Sequence, residues 1–563
     1  MGLTHRAVSA GYTPAMPDTR IARRTYALFA TVRANWLEAV SLAAIVLVAT
    51  FLRFDNLQAR AGWDSDQGAE MLALWNTVHT GTVPLLGPIT SVGSFHHGAV
   101  FYYLMIPAAW LGGDDPTWVL TEIAVAGLAV VPMVWWVARS IGGRVAGLAA
   151  ALIAATSGGL VLFSTFIWNP NVIEPGAALA LLGAWQAWAS RKPGWLLVAA
   201  VGTAIAAQSE IPAGVLYAPM GLFLVALIWR EPAGKRRPIV LWGVAAVALI
   251  AATYVPFILY ELGHGFAETR GIGHFLLGPG LRGAHGPLFR LAVSGVRILA
   301  WPLTGWPLWP GTSTDLLAIG ICAATALVVG LAWRLAATVP TGLRPRSFSR
   351  GPEDSSPISA AETRERDGTW LVTAGLALIM VILGLGISAT STIGTGLGEQ
   401  HHMAADPFVI VASAVVLGGL WRASTGRHRA VLLGRVAVIA ILAATVANSS
   451  GQWHLTPANS WSDAQGVASR IERDAAGTPI ALEEFPDGRS ADIYAFPLVF
   501  RGATPVAYEH ASTLVLLCDL QVPNACGGAA ENGWFVAHTD ASSFRLVDRF
   551  RDNTNRIVSV YRR

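Results

Sequence analysis

The stretch NWLEAVSLAAIVLVATFLRF, residues 35–54, is followed after a short gap by AGWDSDQGAE, residues 61–70. The first is close to the ~20 apolar residues that a helix needs to cross a hydrocarbon core. The second places Asp64, Asp66 and Glu70 beside Trp63 just past its end. A span with acids at its margin points to a membrane protein, and the composition agrees. Of 563 residues, 53% are hydrophobic and 13% are charged, about half of the roughly 25% charged residues usual in soluble domains. The first run sits behind a basic leader (Arg20, Arg23, Arg24, Arg33) with no small-residue cleavage site. It is therefore expected to stay as a helix rather than be removed as a signal peptide.

The net charge of +4 lies in loops, not in a basic stripe with interleaved aromatics. This excludes nucleic acid as a partner and leaves the charges as markers of orientation. Short loops rich in Arg and Lys face the cytoplasm. Here they are residues 1–35, Arg139 to Arg144, Arg191 with Lys192, Arg230 to Arg237, Arg334 to Arg366 and Arg422 to Arg429. Keeping them on one side predicts an all-α polytopic protein with about eleven transmembrane helices. These fall near 36–54, 118–138, 145–166, 172–190, 194–209, 211–229, 239–260, 315–335, 370–390, 407–422 and 430–447. Two further apolar stretches would invert the later loops if they crossed. These are AVFYYLMIPAAWLGG at 99–113, with Pro107, and 288–310, with Trp301, Trp306 and Trp309. The first is assigned as interfacial or re-entrant on the outer side and the second to the outer interface, which aromatic residues favour, and Trp63 is read as an interfacial anchor.

The resulting domains are a cytoplasmic segment 1–35, a membrane domain 36–447 and an extracytoplasmic α/β domain 448–563. Within the membrane domain, 338–368 mixes Pro, Ser and both charge signs without periodicity, as a flexible cytoplasmic loop does. In the tail, an amphipathic helix is expected near 462–476, with strand-like runs TPIAL, TPVAY, TLVLLC, GWFVAH and RIVSVY. Cys518 and Cys526 lie close together there and suit a disulfide in an oxidising compartment. The only lysines, Lys192 and Lys235, fall in loops assigned to the cytoplasm, so Schiff-base chemistry on the outer face is not expected.

The first outer loop, 55–117, is long and specific: DSDQGAEMLALWNTVHTGTVPLLGPITSVGSFHHGAVFYYLMIPAAWLGGDDP. Elsewhere, Glu174 follows Trp168-Asn169-Pro170-Asn171 at a helix start, where a carboxylate caps the dipole. Glu210 sits at a turn between two spans, and an ionisable group at membrane depth is a functional candidate. His96-His97 and Glu399-Gln400-His401-His402 lack the spacing of metal ligands, and neighbouring side chains point apart on regular structure. They suit hydrogen bonds to a substrate better than zinc. The interiors of the spans look uncharged.

Asp66-Gln67, Gly81, Gly87-Pro88, Gly98 and Tyr102-Tyr103 follow one another as in the polyprenyl-phosphate-sugar-dependent glycosyltransferases of the GT-C class. This is the broad family of protein O-mannosyltransferases and lipid A aminoarabinose transferases, which the chain resembles over roughly residues 36–170. Such enzymes often carry Asp-Glu where Gln67 replaces the second acid here, and a Pro where Ala99 stands. The resemblance implies a sugar donor on a polyprenyl phosphate and a glycan, lipid or protein acceptor outside the membrane. It also implies Asp66 as the base that deprotonates the acceptor hydroxyl, with inversion at the anomeric carbon. Asp64, Gln67, Glu70, His96, His97, Tyr102, Glu210, His401 and His402 are then expected to bind substrate. Arg270 and Arg282, with Arg60 less favoured, would meet the lipid phosphate. With Gln67 in place of the second acid, no metal ligand set is assigned; no cofactor is certain, and a divalent metal has only weak support. A transporter or flippase of lipid-linked saccharides is the alternative. It would require acids and broken helices near the bilayer midplane in related halves.

Overall fold

In lipid every backbone N–H and C=O must be satisfied within its own segment, so apolar runs of this length become helices. The structure, a computed structural model, describes residues 36–90, 95–277, 286–306, 312–338, 360–386, 399–423, 428–485, 491–518, 529–538 and 543–563. Arg282 and Cys526 lie outside these residues, so the expected phosphate contact of Arg282 and the pairing of Cys526 with Cys518 are not described. Most of the expected loop 338–368 lies outside them as well. Among the described residues, eight helical segments are long and apolar enough to cross a membrane, and the chain is a multi-pass membrane protein.

The first is α1 (Trp36–Phe54). The loop expected at 55–117 folds into α2 (Ser65–Thr80) and α3 (Val100–Gly112). The reason for α2 is local. Asp64 caps it in a capping box with Gln67, and Gly81 ends it in the left-handed conformation at φ 71°, both standard stop and start devices. Next comes α4 (Pro116–Thr156), which holds two antiparallel arms. Gly143, at φ 81° and ψ −174°, adopts a backbone that only glycine takes readily. The reversal brings Gly147 against Trp135 and Arg139. The second arm stops at Thr156, short of the expected 166.

The bundle continues with α5 (Ile173–Ser190), α6 (Trp195–Ser209), α7 (Tyr217–Arg230) and α8 (Arg236–Thr253). Two shorter helices follow, α9 (Val255–Gly263) and α10 (Ala267–Leu277). Then come α11 (Pro287–Thr304), α12 (Thr314–Thr338), α13 (Ala360–Val381), α14 (Asp406–Ala423) and α15 (His428–Ser449). The interfacial assignment of 288–310 needs revision in its second half. Ile298, Leu299 and Trp301 are buried in the bundle core.

Beyond the bundle, α16 (Trp461–Ala475), β1 (Ile480–Phe485), α17 (Asp492–Phe500), β2 (Thr513–Cys518), α18 (Ala529–His538), β3 (Arg545–Arg551) and β4 (Ile557–Arg562) form an α/β unit. The sheet order is β1-β2-β4-β3, with β1 and β2 parallel and the other pairs antiparallel. Two expected strands differ. GWFVAH lies in α18, and TPVAY is not a strand; β3 was not expected.

This unit sits directly on the start of α2. Trp63 is 3% exposed and packs on Trp461 and Phe496 at centroid distances of 4.4 and 5.8 Å. It is a core residue, not an interfacial anchor. Its indole N–H donates to the Ile493 carbonyl at 2.8 Å, and Asn459 is tied to its backbone in both directions. A Cβ at Gly68 would lie 2.0 Å from the Asp492 carbonyl oxygen. Gly68→Ala is therefore expected to destabilise the contact by about 1–3 kcal/mol, as overpacking does. Thermal unfolding in detergent should show a lower midpoint, and limited proteolysis should release the C-terminal unit sooner. A midpoint equal to wild type would contradict this packing.

Candidate active site

Each polar side chain of the Asp64–Glu70 turn has a different environment. Asp64 accepts from the Ser65 backbone at 2.8 Å and from the Arg556 guanidinium at 2.6 Å. Arg556 is placed by the turn between β3 and β4. There one Asp552 oxygen accepts from the backbones of Thr554 and Arg556, both at 2.8 Å, and the other accepts from the Tyr494 hydroxyl at 2.7 Å. Gln67 uses both ends of its amide. Its oxygen accepts from the Asp64 backbone at 2.8 Å, and its nitrogen donates to the Ile167 carbonyl at 2.7 Å. A Glu could make the first bond but not donate the second. The glutamine at this position thus ties α2 to the 166–171 segment. Glu70 is 2% exposed and hydrogen-bonded to the buried Tyr102, which joins α2 to α3. Desolvation raises the Glu70 carboxyl well above its usual range.

Asp66 is exposed as Asp64 is, but Asp64 is taken up by Arg556. The Trp168 indole hydrogen-bonds to it, and Trp168 is itself stacked near Phe163 and Phe166 at 6.1 and 5.9 Å. Desolvation by the surrounding protein and the charge of Asp64 raise the Asp66 carboxyl, while the Trp168 bond opposes them.

Trp168 leads to a second group. The next residue, Asn169, donates to the Ser209 carbonyl and lies 3.5 Å from a Glu210 oxygen. His97 Nε2 approaches one Glu210 oxygen at 3.4 Å and His401 Nε2 the other at 3.7 Å. Burial, then His96 and His401, push His97 down to about 4; burial and then Arg297 push His401 down to about 4. Burial pushes Glu210 up to about 8, against its bond from Asn169. All three shifts run toward the neutral form of each group. Beside them Arg297 lies 3.3 Å from Glu399, and His402 meets the edge of Trp301 at 6.2 Å. Among the described residues, no three His, Cys, Asp or Glu side chains are arranged to hold a metal ion.

Other expected contacts lie apart from this group. His96 binds Glu268 through its backbone at 2.6 Å and its ring at 3.1 Å, holding α10 to the segment that bridges to Ile89. Arg270 is exposed on α10, near Glu261. Arg60 is buried and donates to the Leu52 and Asp55 carbonyls. Glu174 is buried, not a solvated cap. It hydrogen-bonds to Asp406 close to the fully buried Arg53, which donates to the Ala154 and Ala155 carbonyls at 3.1 Å. The bundle is therefore not free of charge. These groups lie at the ends of α1, α5 and α14, however, rather than at midspan.

Residues 96–258 match the family described as dolichyl-phosphate-mannose-protein mannosyltransferase. In overall shape the chain is similar to ArnT from Cupriavidus metallidurans, in structures bound to undecaprenyl phosphate and in the apo state. Each has a TM-score of 0.55, at 11% and 12% identity, covering 93% and 94% of this chain and 97% and 98% of ArnT. The chain has the GT-C fold. A looser likeness joins it to the Archaeoglobus fulgidus oligosaccharyltransferase tethered with an acceptor peptide, at 13% identity and a TM-score of 0.47, over 85% of this chain and 65% of that one. No curated protein matches the sequence. Within the GT-C fold, the Asp66 turn lies between the first two candidate spans, and the matched region begins at His96.

Trp168, Asn169 and Arg556 had no role in the sequence reading. The WNPN spelling before α5 is the one local signal for the first two; nothing local marks Arg556. For Glu210 the sign of the pH effect is definite. A carboxyl whose folded value lies above its ordinary 4.5 leaves the folded state holding more protons than the unfolded, so stability falls as pH rises between that value and about 8. Glu210→Gln should keep the neutral hydrogen bonds and flatten this part of the midpoint-versus-pH curve. A curve of unchanged slope would show Glu210 ionised in the fold.

Proposed function

We propose that this protein transfers a sugar from a polyprenyl phosphate to an acceptor on the outer face of a bacterial plasma membrane, with Asp66 as general base. The N-terminus is then cytoplasmic and the C-terminal unit extracytoplasmic, as the Arg-rich loops favour. The observation that carries the reading is the contrast within one turn. Asp64, Gln67 and Glu70 are committed to holding α2 in place, while Asp66 stays exposed with a raised carboxyl and the Trp168 N–H to orient it. A fixed carboxylate open to a hydroxyl is what general-base catalysis needs. In-line displacement at the anomeric carbon inverts it. The acceptor oxygen forms the new bond, its proton passes to Asp66, and the sugar–phosphate bond breaks to release the lipid phosphate.

His97, His401 and Arg297 are assigned to the leaving phosphate. Two neutral imidazoles buried beside Glu210 acquire protons more readily once a phosphate lies near them, so donor binding should weaken as pH rises. The acceptor class follows from the resemblance: an envelope glycan, lipid or protein. Transport is disfavoured by the placement of Arg53, Glu174 and Asp406 at helix ends, since a carrier binds at the midplane.

Purified protein in liposomes with a polyprenyl-phosphate sugar tests the assignment. Asp66→Asn should lose transfer by about 10²–10⁴-fold while expressing and unfolding as wild type does. Transfer at the wild-type rate would remove Asp66 from the mechanism. Arg556→Gln leaves Asp64 unbalanced beside Asp66, which disfavours a second negative charge. Its rate profile should therefore lose activity on acidification at a higher pH than wild type. An acid limb that stays in place would separate Arg556 from the base.

A further inference from the structure

The segment 163–171, between α4 and α5, carries aromatic rings whose faces have no part in the reaction described above. Amide side chains fix its backbone. Gln67 donates to the Ile167 carbonyl at 2.7 Å, Asn171 to the Phe166 carbonyl at 2.5 Å, and Asn169 to the Ser209 carbonyl. Ile167 is buried among the side chains that join α2 to the C-terminal unit. Phe166 and Trp168, on either side of it, pack against the bundle and stay half-buried. Their rings stack at 5.9 Å with 26° between their planes, and the buried Phe163 stacks on Trp168 at 6.1 Å and 25°. Rings that only closed the end of the bundle would be buried throughout, as Phe163 is. Here the two outer rings keep open surface beside the exposed Asp66.

Position decides what can lie on them. The Trp168 indole hydrogen-bonds to Asp66, and the next residue, Asn169, comes within 3.5 Å of Glu210, beside His97 and His401. In-line displacement puts the reacting carbon between the acceptor oxygen at the base and the leaving phosphate, so the transferred sugar lies alongside Trp168. The C–H bonds on one face of a sugar ring are polarised by its oxygens, and the negative face of an aromatic ring attracts them. Aromatic walls with a few placed polar groups are the usual lining of small-ligand sites. We propose that Phe166 and Trp168 form the stacking surface for the transferred sugar, with its C–H face on their rings. This placement rests on the reading of Asp66 as base and of His97 and His401 as the phosphate site.

Affinities of the purified protein for polyprenyl phosphates carrying mannose, glucose or arabinose, each set against polyprenyl methyl phosphate, test it. The methyl ester has the same charge and lipid without a sugar, so the ratio of affinities isolates the sugar contact. Wild type should prefer at least one sugar-bearing lipid. Phe166→Leu should cut that preference by about fivefold, the worth of one aromatic contact, and Phe166→Tyr should restore it. Trp168→Phe keeps a ring but loses the N–H that holds the Asp66 carboxyl down. It should keep the preference, while its activity is lost on acidification at a higher pH than in wild type. Asp66→Asn should lose transfer and keep the preference, which separates failure of the stacking surface from failure of the base. Equal weakening of both ligands in Phe166→Leu, or no weakening, would make Phe166 a packing residue and overturn the proposal. A wild type that binds the methyl ester as tightly as every sugar-bearing lipid would overturn it too.

Discussion

Gly68 and the Asp492 carbonyl lie so close that no side chain fits between them, and the geometry of the site depends on that contact. It lets α2 rest on the backbone of α17, so that Trp63 can enter the aromatic group of Trp461 and Phe496. Burial of two indoles and a phenyl ring there provides apolar area and oriented aromatic contacts together. The start of α2, only loosely held by its own capping bonds, becomes part of a domain core. From this platform the helix presents Asp66 toward Trp168.

Polar groups around that platform separate by burial. Glu70, buried against Tyr102, and Glu210, buried beside His97 and His401, are both pushed toward the neutral form by desolvation. Charge is retained at the Asp64–Arg556 pair, where the arginine is mostly buried and the carboxylate is exposed. An ion pair open to solvent on one side is partly screened, and this one orients the turn. The pair sets the electrostatic surroundings of Asp66 two residues away.

Much of this organisation can be read from residue patterns. Apolar runs and clustered arginines locate the helices, and Gly142-Gly143 between Arg139 and Arg144 marks the reversal inside α4. The start of α2 was legible too, since Asp64 and Gln67 have capping-box spacing, although the same residues read as a cluster of acids. Short apolar runs were ambiguous. GWFVAH is too short for periodicity to distinguish strand from helix. The roles of Glu174 and Arg53 were hidden because their partners come from segments far apart in the chain. Glu174 at a helix start has a good local explanation, and only the packing of α14 beside it brings Asp406 into contact.

The Asp64–Arg556 bond spans 492 positions of chain, and this has a consequence for assembly. A growing polypeptide presents the acidic turn long before the arginine that steadies it, with the whole helix bundle made in between. Until the β3–β4 turn has folded, α2 lacks its outer brace, and a chain arrested before that point carries Asp66 without the setting that positions it. The order of synthesis thus delays completion of the corner around Asp66 until the helices of the bundle and the strands that carry Arg556 have all been made.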